Sequence, residues 1–194
     1  MKKSIIISTI ICLFCWEVAT AQMIKRRNGF IGINVGPSMP LNHYDFITKT
    51  GTRASLDLDY YFSKNIGINL SGFGATNTME NTDMNRWSYG GVMIGPLLAC
   101  NVNKSIALEL RSLIGYSITM LPIHSNFYFQ YENKNHKGHS IVYNAGASVK
   151  YALGRRLQIP LNVDYMYTNP DFDKYKVNKE VESISITTGL FYRF

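Results

Sequence analysis

The side chains best suited to covalent or acid–base chemistry are four histidines and the serines beside two of them. The histidines are His43, His124, His136 and His139, and the adjacent pairs are His124-Ser125 and His139-Ser140. A serine nucleophile needs its general base within hydrogen-bonding distance. Direct neighbours in an extended segment point to opposite sides, so neither pair meets that requirement. We therefore expect no catalytic residues, and an enzyme is the least favoured of the functions considered below.

Binding of a metal, a cofactor or a nucleic acid is not favoured either. Three of the histidines fall within residues 124–139, but their spacing matches no metal-ligand pattern and suits a solvated loop. The formal net charge is +7, yet the Lys and Arg residues are scattered and form no basic block. We expect no metal, no cofactor and no nucleic-acid partner.

Seven charged side chains recur at alternate positions of extended segments, opposite an aliphatic face. They are Asp57, Asp59, Glu109, Arg111, Lys150, Asp164 and Arg193. Charges that face the inside of a closed structure must be paired, because an uncompensated buried charge is strongly destabilising. The pattern predicts an interior network of salt bridges and hydrogen bonds. The alternative for the same residues is a narrow polar pore.

The elements that would position these charges are eight strands with a period of two. The predicted strands cover about 29–36, 51–62, from 66 onward, 87–100, 106–116, 141–151, 157–167 and 181–194. Short turns after Phe62, Cys100 and Tyr151 alternate with four longer connections. Glycines blur the register of the fourth strand. The glycine-rich stretch Gly72–Thr76 can accommodate a bulge, and we expect a bulge at Pro160. The prediction is an all-β fold, an eight-stranded antiparallel up-and-down transmembrane β-barrel.

The apolar face decides between a membrane barrel and a soluble one. A soluble sandwich or a lipocalin-like barrel also alternates, but its exposed face should be rich in Lys and Glu. Here the face opposite the aliphatic residues is rich in Gly, Ser and Asn. The aliphatic face carries no charge, as expected of a surface in lipid. The pattern therefore favours a transmembrane barrel over a soluble one.

Aromatic residues cluster where the predicted strands would meet the membrane interfaces. Near the short turns are Phe30, Tyr60, Phe62, Tyr151, Tyr192 and Phe194. Near the longer connections are Trp87, Tyr89, Tyr116, Tyr165 and Tyr167. Amphipathic rings favour the headgroup region, which predicts two interface belts. The general enrichment of Tyr in strands explains part of the pattern.

The first residues have the features of a cleaved secretory signal. Lys2 and Lys3 precede an apolar run over residues 5–16, and Ala19-Thr20-Ala21 is a suitable cleavage site. We expect a signal peptide over residues 1–21 and one barrel domain over residues 22–194; an uncleaved anchor is the alternative. Neither Cys12 nor Cys15 follows the small residue that a lipoprotein signal needs, so Cys100 remains as a single apolar thiol.

The sequence resembles a known family at three places. These are GFIGINVGPSMPL at residues 29–41, the alternation of short turns with long connections, and the terminal LFYRF. Together they resemble the eight-stranded bacterial outer-membrane β-barrel domain family over essentially the whole mature chain. The resemblance implies contact with outer-membrane lipid and lipopolysaccharide, and delivery to the barrel-insertion machinery through the C-terminal strand. The His-x-Ser spacing of lipid A deacylase barrels is missing.

A structural or adhesive role through the outer loops is the function that these features favour. An even number of strands would place both termini in the periplasm and the long loops outside the cell. The segment NFYFQYENKNHKGH carries aromatic and cationic side chains suited to gripping a partner. A small-solute pore and a lipid-modifying enzyme are the alternatives. The sequence carries no signal for the oligomeric state.

Overall fold

Eight antiparallel strands form a closed barrel in the computed structural model, which describes residues 29–41, 49–78, 86–120, 137–171 and 180–194. Each strand pairs with its neighbours in sequence, and the last pairs with the first. The strands are β1 (Gly29–Pro40), β2 (Gly51–Tyr61), β3 (Ile66–Asn77), β4 (Trp87–Asn101), β5 (Ile106–Met120), β6 (Lys137–Ala152), β7 (Leu157–Thr168) and β8 (Val181–Arg193). The predicted all-β, eight-stranded architecture is confirmed.

Three short turns join β2 to β3, β4 to β5 and β6 to β7, and they define one end of the barrel, here called the turn end. In the first, the Ser63 hydroxyl accepts hydrogen bonds from the backbone of Asn65 and Ile66. In the second, Oδ1 of Asn103 accepts hydrogen bonds from the backbone amides of Ser105 and Ile106. In the third, Gly154 has φ of 156°, which only glycine adopts readily. The opposite end is called the loop end.

Several strands extend further toward the loop end than their hydrophobic pattern predicts. β1 continues to Pro40, and β5 and β6 stay paired as far as Met120 and Lys137. The extra residues are partly polar, so the period-two hydrophobic signal fades although backbone pairing continues. His139 consequently lies in β6 rather than in a loop. His43, His124, His136 and the predicted leader fall outside the described residues.

Neither the bulge that β3 could accommodate nor the bulge expected at Pro160 forms in the structure. β3 pairs without interruption with both β2 and β4 through its glycine-rich half. At Pro160, β7 keeps one register against β8 on both sides of a two-residue gap in the described pairing. Pro37 and Pro96 interrupt the β1–β8 and β4–β5 pairings in the same way. A proline lacks the amide donor but needs no extra residue in the strand. Backbone pairing is therefore interrupted at the proline, and the register is the same on both sides of the interruption.

The outer surface of the barrel is apolar and the inner surface is mixed. Exposed Leu, Ile and Val side chains cover every strand of the outer face, including Ile33, Leu56, Ile114 and Leu161. In water such a continuous apolar surface would drive association, so its natural environment is lipid. Among the described residues, no helix is long and apolar enough to cross a membrane.

Candidate functional site: the filled interior of the barrel

An ion-pair cluster fills the turn end of the interior, here called the turn-end cluster. The Lys150 ammonium lies 2.6 Å from Oδ2 of Asp59 and 2.7 Å from Oε2 of Glu109. The Tyr61 hydroxyl donates to Glu109, and the Asn69 amide donates to Asp59. All five side chains project inward because they share the inner parity of β2, β3, β5 and β6. One cation therefore neutralises part of the charge of two carboxylates from different strands.

Aromatic rings surround the same ammonium group. Lys150 Nζ lies 4.4 Å from the centroid of Phe191 and 5.9 Å from that of Phe30. Ring faces carry negative electrostatic potential and attract a cation. Phe191 occupies the space above Gly32, where a methyl group would overlap the ring. The rings and the carboxylates together fill the interior at this level.

A second ion-pair cluster, the middle cluster, lies one layer closer to the loop end. Arg111 donates to Asp164 through Nε at 3.0 Å and through Nη2 at 2.7 Å. This two-point geometry is the strong form of an arginine–carboxylate pair. Nη1 of Arg111 also lies 4.0 Å from Asp57. Three strands, β2, β5 and β7, are thereby joined across the interior.

Gly146 makes room for the middle cluster. It lies on β6, between the strands that carry Arg111 and Asp164. A methyl group at Gly146 would overlap Oδ1 of Asp164 and would lie 2.9 Å from Nε of Arg111. The glycine is therefore required by the close approach of the ion pair and not by its backbone conformation.

Neutral amides connect the middle cluster to the strands that close the barrel. The Asn34 amide donates to Asp57 at 2.6 Å. The Asn162 amide donates to Asn34 at 3.2 Å and to Thr187 at 3.1 Å. These bonds run from β7 through β8 and β1 to β2. The seam between the first and last strands is thus joined by side chains as well as by backbone pairing.

The loop end of the interior combines a hydrophobic cluster with buried polar side chains, so ion pairs do not fill the interior throughout. A hydrophobic cluster there consists of Phe73, Ala75, Trp87, Tyr89, Met93, Leu113, Val142, Met166 and Val181. The Tyr89 hydroxyl lies within hydrogen-bonding distance of Ser38 and Ser183, at 3.3 and 3.4 Å. The ion pairs lie at the turn end and in the middle of the interior, whereas the hydrophobic cluster lies nearer the loop end, together with Arg53.

Three aromatic residues expected at the membrane interfaces are inside the barrel instead. Trp87 and Tyr89 are 2% and 5% exposed and belong to the apolar cluster, and Phe30 packs edge-on against Tyr61. The odd-numbered residues of β4 point into the barrel. This register was not evident from the sequence, because the glycines of β4 interrupt its hydrophobic alternation. Phe30 shares the inner parity of Gly32 and Asn34. The interface prediction is wrong for these three residues.

The other predicted interface aromatics have side chains on the outer side of the barrel. Tyr60, Phe62, Tyr116, Tyr151, Tyr165, Tyr192 and Phe194 are exposed, and Tyr167 is half-buried. Tyr60 packs edge-on against Phe62 near the turn end. The Tyr116 ring stacks on His139 and its hydroxyl lies 2.7 Å from Nδ1 of that residue. Their position at a headgroup region stays a prediction.

Arg193 and Arg53 complete the set of inward cations. The Arg193 guanidinium lies 5.5 Å from the ring centroid of Phe30. Arg53 is buried near the loop end, and its guanidinium lies 5.3 Å from the ring centroid of Phe73. The inward charges predicted from the sequence did not include Arg53, although Arg53 shares the inner parity of Ser55, Asp57 and Asp59. That parity was the available signal.

The candidate histidine–serine pair does not form a nucleophile and base. His139 is exposed on the outer face, whereas Ser140 bonds inside the barrel to Ser117 at 2.9 Å and to Thr168. The two side chains therefore point to opposite sides of β6. Within the described ranges, no group of three or more His, Cys, Asp or Glu side chains is placed to hold a metal ion.

Comparison with known proteins supports the architecture alone. No protein-family model and no curated protein sequence matches the chain. Neisserial surface protein A is 10% identical with a TM-score of 0.62, covering 86% of this chain and 97% of its own. Ail of Yersinia pestis, solved with the heparin analogue sucrose octasulfate, is 20% identical with a TM-score of 0.54, covering 86% and 99%.

A third solved structure agrees with these two. OprG, an outer membrane protein of Pseudomonas aeruginosa, is 14% identical with a TM-score of 0.52 and covers 87% of this chain and 97% of its own. At such low identities only the backbone architecture is shared. The chain therefore has the fold of the small eight-stranded outer-membrane β-barrels, as the sequence resemblance predicted.

Proposed function

We propose that this chain is an integral outer-membrane protein. Its barrel has no open channel and serves as an anchor that holds the loop end at the membrane surface. The apolar outer surface supports insertion in lipid, because exposing such a surface to water is unfavourable. Both described ends of the chain meet at the turn end, where the amide of Phe194 donates to Gly29. We assign the turn end to the periplasm and the loop end to the cell exterior.

The observation that carries the proposal is the bridging of opposite strands inside the barrel. Lys150 of β6 contacts Asp59 of β2, and Tyr89 of β4 contacts Ser183 of β8. Each contact runs across the full width of an eight-stranded barrel, at different levels. An interior of this size is wide enough only for side chains to fill it. This favours an anchor over a small-solute pore.

Fully buried large side chains support the same conclusion. Phe191, Met93, Leu97, Met166 and Val142 are at most 1% exposed. They come from β4, β6, β7 and β8, so the filling is not confined to one wall. A hydrated ion moving through the barrel would have to displace both the charged layers and the apolar layer.

An interaction role at the loop end is the activity that fits a closed barrel. Ail, solved with a heparin analogue bound, and Neisserial surface protein A have the same fold. For this chain we propose that the loop end binds an extracellular partner, while the apolar belt contacts lipid and lipopolysaccharide. His139 and Ser140 lie on opposite faces of β6, so nothing in the described residues favours a lipid-modifying enzyme over this role.

Conductance in planar lipid bilayers tests the closed lumen. Purified barrel, verified by the difference in gel mobility between boiled and unboiled samples, should insert without producing discrete conductance steps. A barrel of the same preparation in which Lys150, Met93 and Phe191 are all replaced by Gly serves as the opened comparison. Steady ion-conducting steps from the unmodified protein would contradict the anchor and favour the pore.

A further inference from the structure

Arg53 is an anomaly among the buried charges of the interior. It is 3% exposed, and its Nη1 atom has no hydrogen-bond partner. Lys150 and Arg111, in contrast, each contact two carboxylates. Among the described residues, no carboxylate lies within ion-pair distance of Arg53. A buried cation without a counter-charge is strongly unfavourable.

The carboxylates of the two ion-pair clusters are engaged by Lys150 and Arg111. The nearest on the same strand is Asp57, four residues along β2, which corresponds to ~13 Å of extended chain. Asp57 is moreover engaged by Asn34 and Ser55, and it faces Arg111. The single identified partner of Arg53 is the ring of Phe73. A ring face attracts a cation more weakly than water or an anion does.

The neighbours of Arg53 on the inner face of the barrel have short side chains. Its cross-strand neighbours are Gly36 on β1 and Ala75 on β3, and the next inward position of β2 toward the loop end is Gly51. None of these residues carries a side chain longer than a methyl group. Beyond them, the Asn77 amide donates to the carbonyls of Ser38 and Lys49 at 3.1 Å each. A buried, uncharged polar side chain therefore lies between Arg53 and the loop end.

We propose that Arg53, backed by the ring of Phe73, is a binding subsite for an anionic group that enters from the loop end. The chemistry is that of a phosphate, which a guanidinium binds through two parallel hydrogen bonds. The group comes either from a lipid headgroup or from a free phosphorylated solute. The inference does not depend on a closed lumen or on which side of the membrane the loop end faces.

The test is a titration of the full mature barrel in zwitterionic detergent with inorganic phosphate at constant ionic strength. The side-chain Nε resonance of Arg53, identified by its loss in Arg53→Gln, is followed by NMR. We expect this resonance to shift saturably with phosphate. Backbone amides around Gly36 and Ala75 should shift with the same dissociation constant in the unmodified barrel and should not respond in Arg53→Gln.

Two further variants separate the site from general electrostatic attraction. Lys137→Gln removes an exposed cation at the same end of the barrel and should leave the dissociation constant unchanged. Arg53→Lys keeps the charge but loses the two-point geometry, and should weaken binding by about tenfold or more. If Arg53→Gln does not fold, the proposal is still tested by the phosphate-dependent shift in the unmodified protein and by the weaker phosphate binding expected of Arg53→Lys.

The source of the phosphate is tested in a nonionic detergent that contains neither phospholipid nor free phosphate. An Arg53 shift that appears when phosphatidylglycerol is added to the micelles would identify a lipid headgroup. A shift that needs inorganic phosphate and does not occur with phosphatidylglycerol would identify a soluble ligand. An Arg53 resonance that responds to neither, or phosphate binding that is equal in Arg53→Gln, would overturn the proposal.

Discussion

The Lys150 ammonium lies 2.6 Å from Asp59, and this contact joins β6 to β2, which are diametrically opposite strands of the barrel. The same ammonium lies 2.7 Å from Glu109 on β5. Backbone pairing connects each strand only to its two neighbours. Contacts across the interior therefore connect strands that are distant from one another in the wall.

Replacing Lys150 with Met should destabilise the barrel by about 3–5 kcal/mol, because two buried carboxylates lose their cation. Met approximates the length of the Lys side chain and adds no cavity of comparable size. Urea unfolding in detergent or lipid, followed by gel mobility of unboiled samples, measures the change. Lys104→Met, at an exposed turn position, is the matched control and should change stability little. Equal stability of Lys150→Met and the unmodified protein would show that the turn-end cluster is not stabilising.

Gly146→Ala should destabilise the barrel by about 1–3 kcal/mol, because the new methyl group would collide with the Arg111–Asp164 pair. The matched control is Gly74→Ala on the outer face of β3, where a methyl group would meet no atom within 4 Å of the described structure. Urea midpoints of the two variants are compared under identical conditions. Similar midpoints would mean that the ion pair relaxes without cost and that Gly146 has no spatial role.

Thr188→Val should destabilise the barrel by about 1–3 kcal/mol. The Thr188 hydroxyl donates to the carbonyl of Pro160 at 2.8 Å, at the place where backbone pairing between β7 and β8 is interrupted. A carbonyl on the apolar side of the wall has no water to replace that donor. Thr188→Ser keeps the hydroxyl and should retain most of the stability, so the difference between the two variants is the measurement. If both lose stability equally, the methyl group of Thr188 and not its hydroxyl matters.

Trp87 fluorescence should be insensitive to quenching by brominated lipids, because the side chain is inside the barrel. Trp16 lies in the predicted leader, so Trp87 would be the tryptophan observed in the mature chain. The control is Tyr116→Trp in a Trp87→Phe background, which places a tryptophan on the exposed outer face. The control should be quenched several times more strongly. Strong quenching of Trp87 would mean that β4 has the opposite register.

Much of this architecture was predictable because a period of two is a local property of a strand. Leu56, Asp57 and Leu58 alternate between the two faces in the sequence as they do in the structure. Where glycines broke the alternation, in β4, the predicted position of Trp87 and Tyr89 was wrong. The inner face of β4 includes Gly91 and Gly95 as well as Met93 and Leu97. The sequence of β4 therefore has no continuous hydrophobic alternation from which the register can be read.

Proline shows a different limit of local reasoning. Pro160 cannot donate a backbone hydrogen bond, and from the sequence a bulge was the expected response. The structure instead keeps the register, and the Thr188 hydroxyl on the neighbouring strand donates to the Pro160 carbonyl. Which residue of β8 can reach that carbonyl depends on the pairing of the two strands, which no property of β7 specifies.

The sequence by itself determined the eight strands, their order of short and long connections and, outside β4 and Phe30, the face on which the strand side chains lie, because each follows from spacing along the chain. The tertiary structure alone decided the partners. Lys150 meets Asp59 at a separation of 91 residues, whereas Arg53 meets no carboxylate among the described residues. Closure of the barrel sets its width and the stagger of its strands, and these decide which inward side chains face one another.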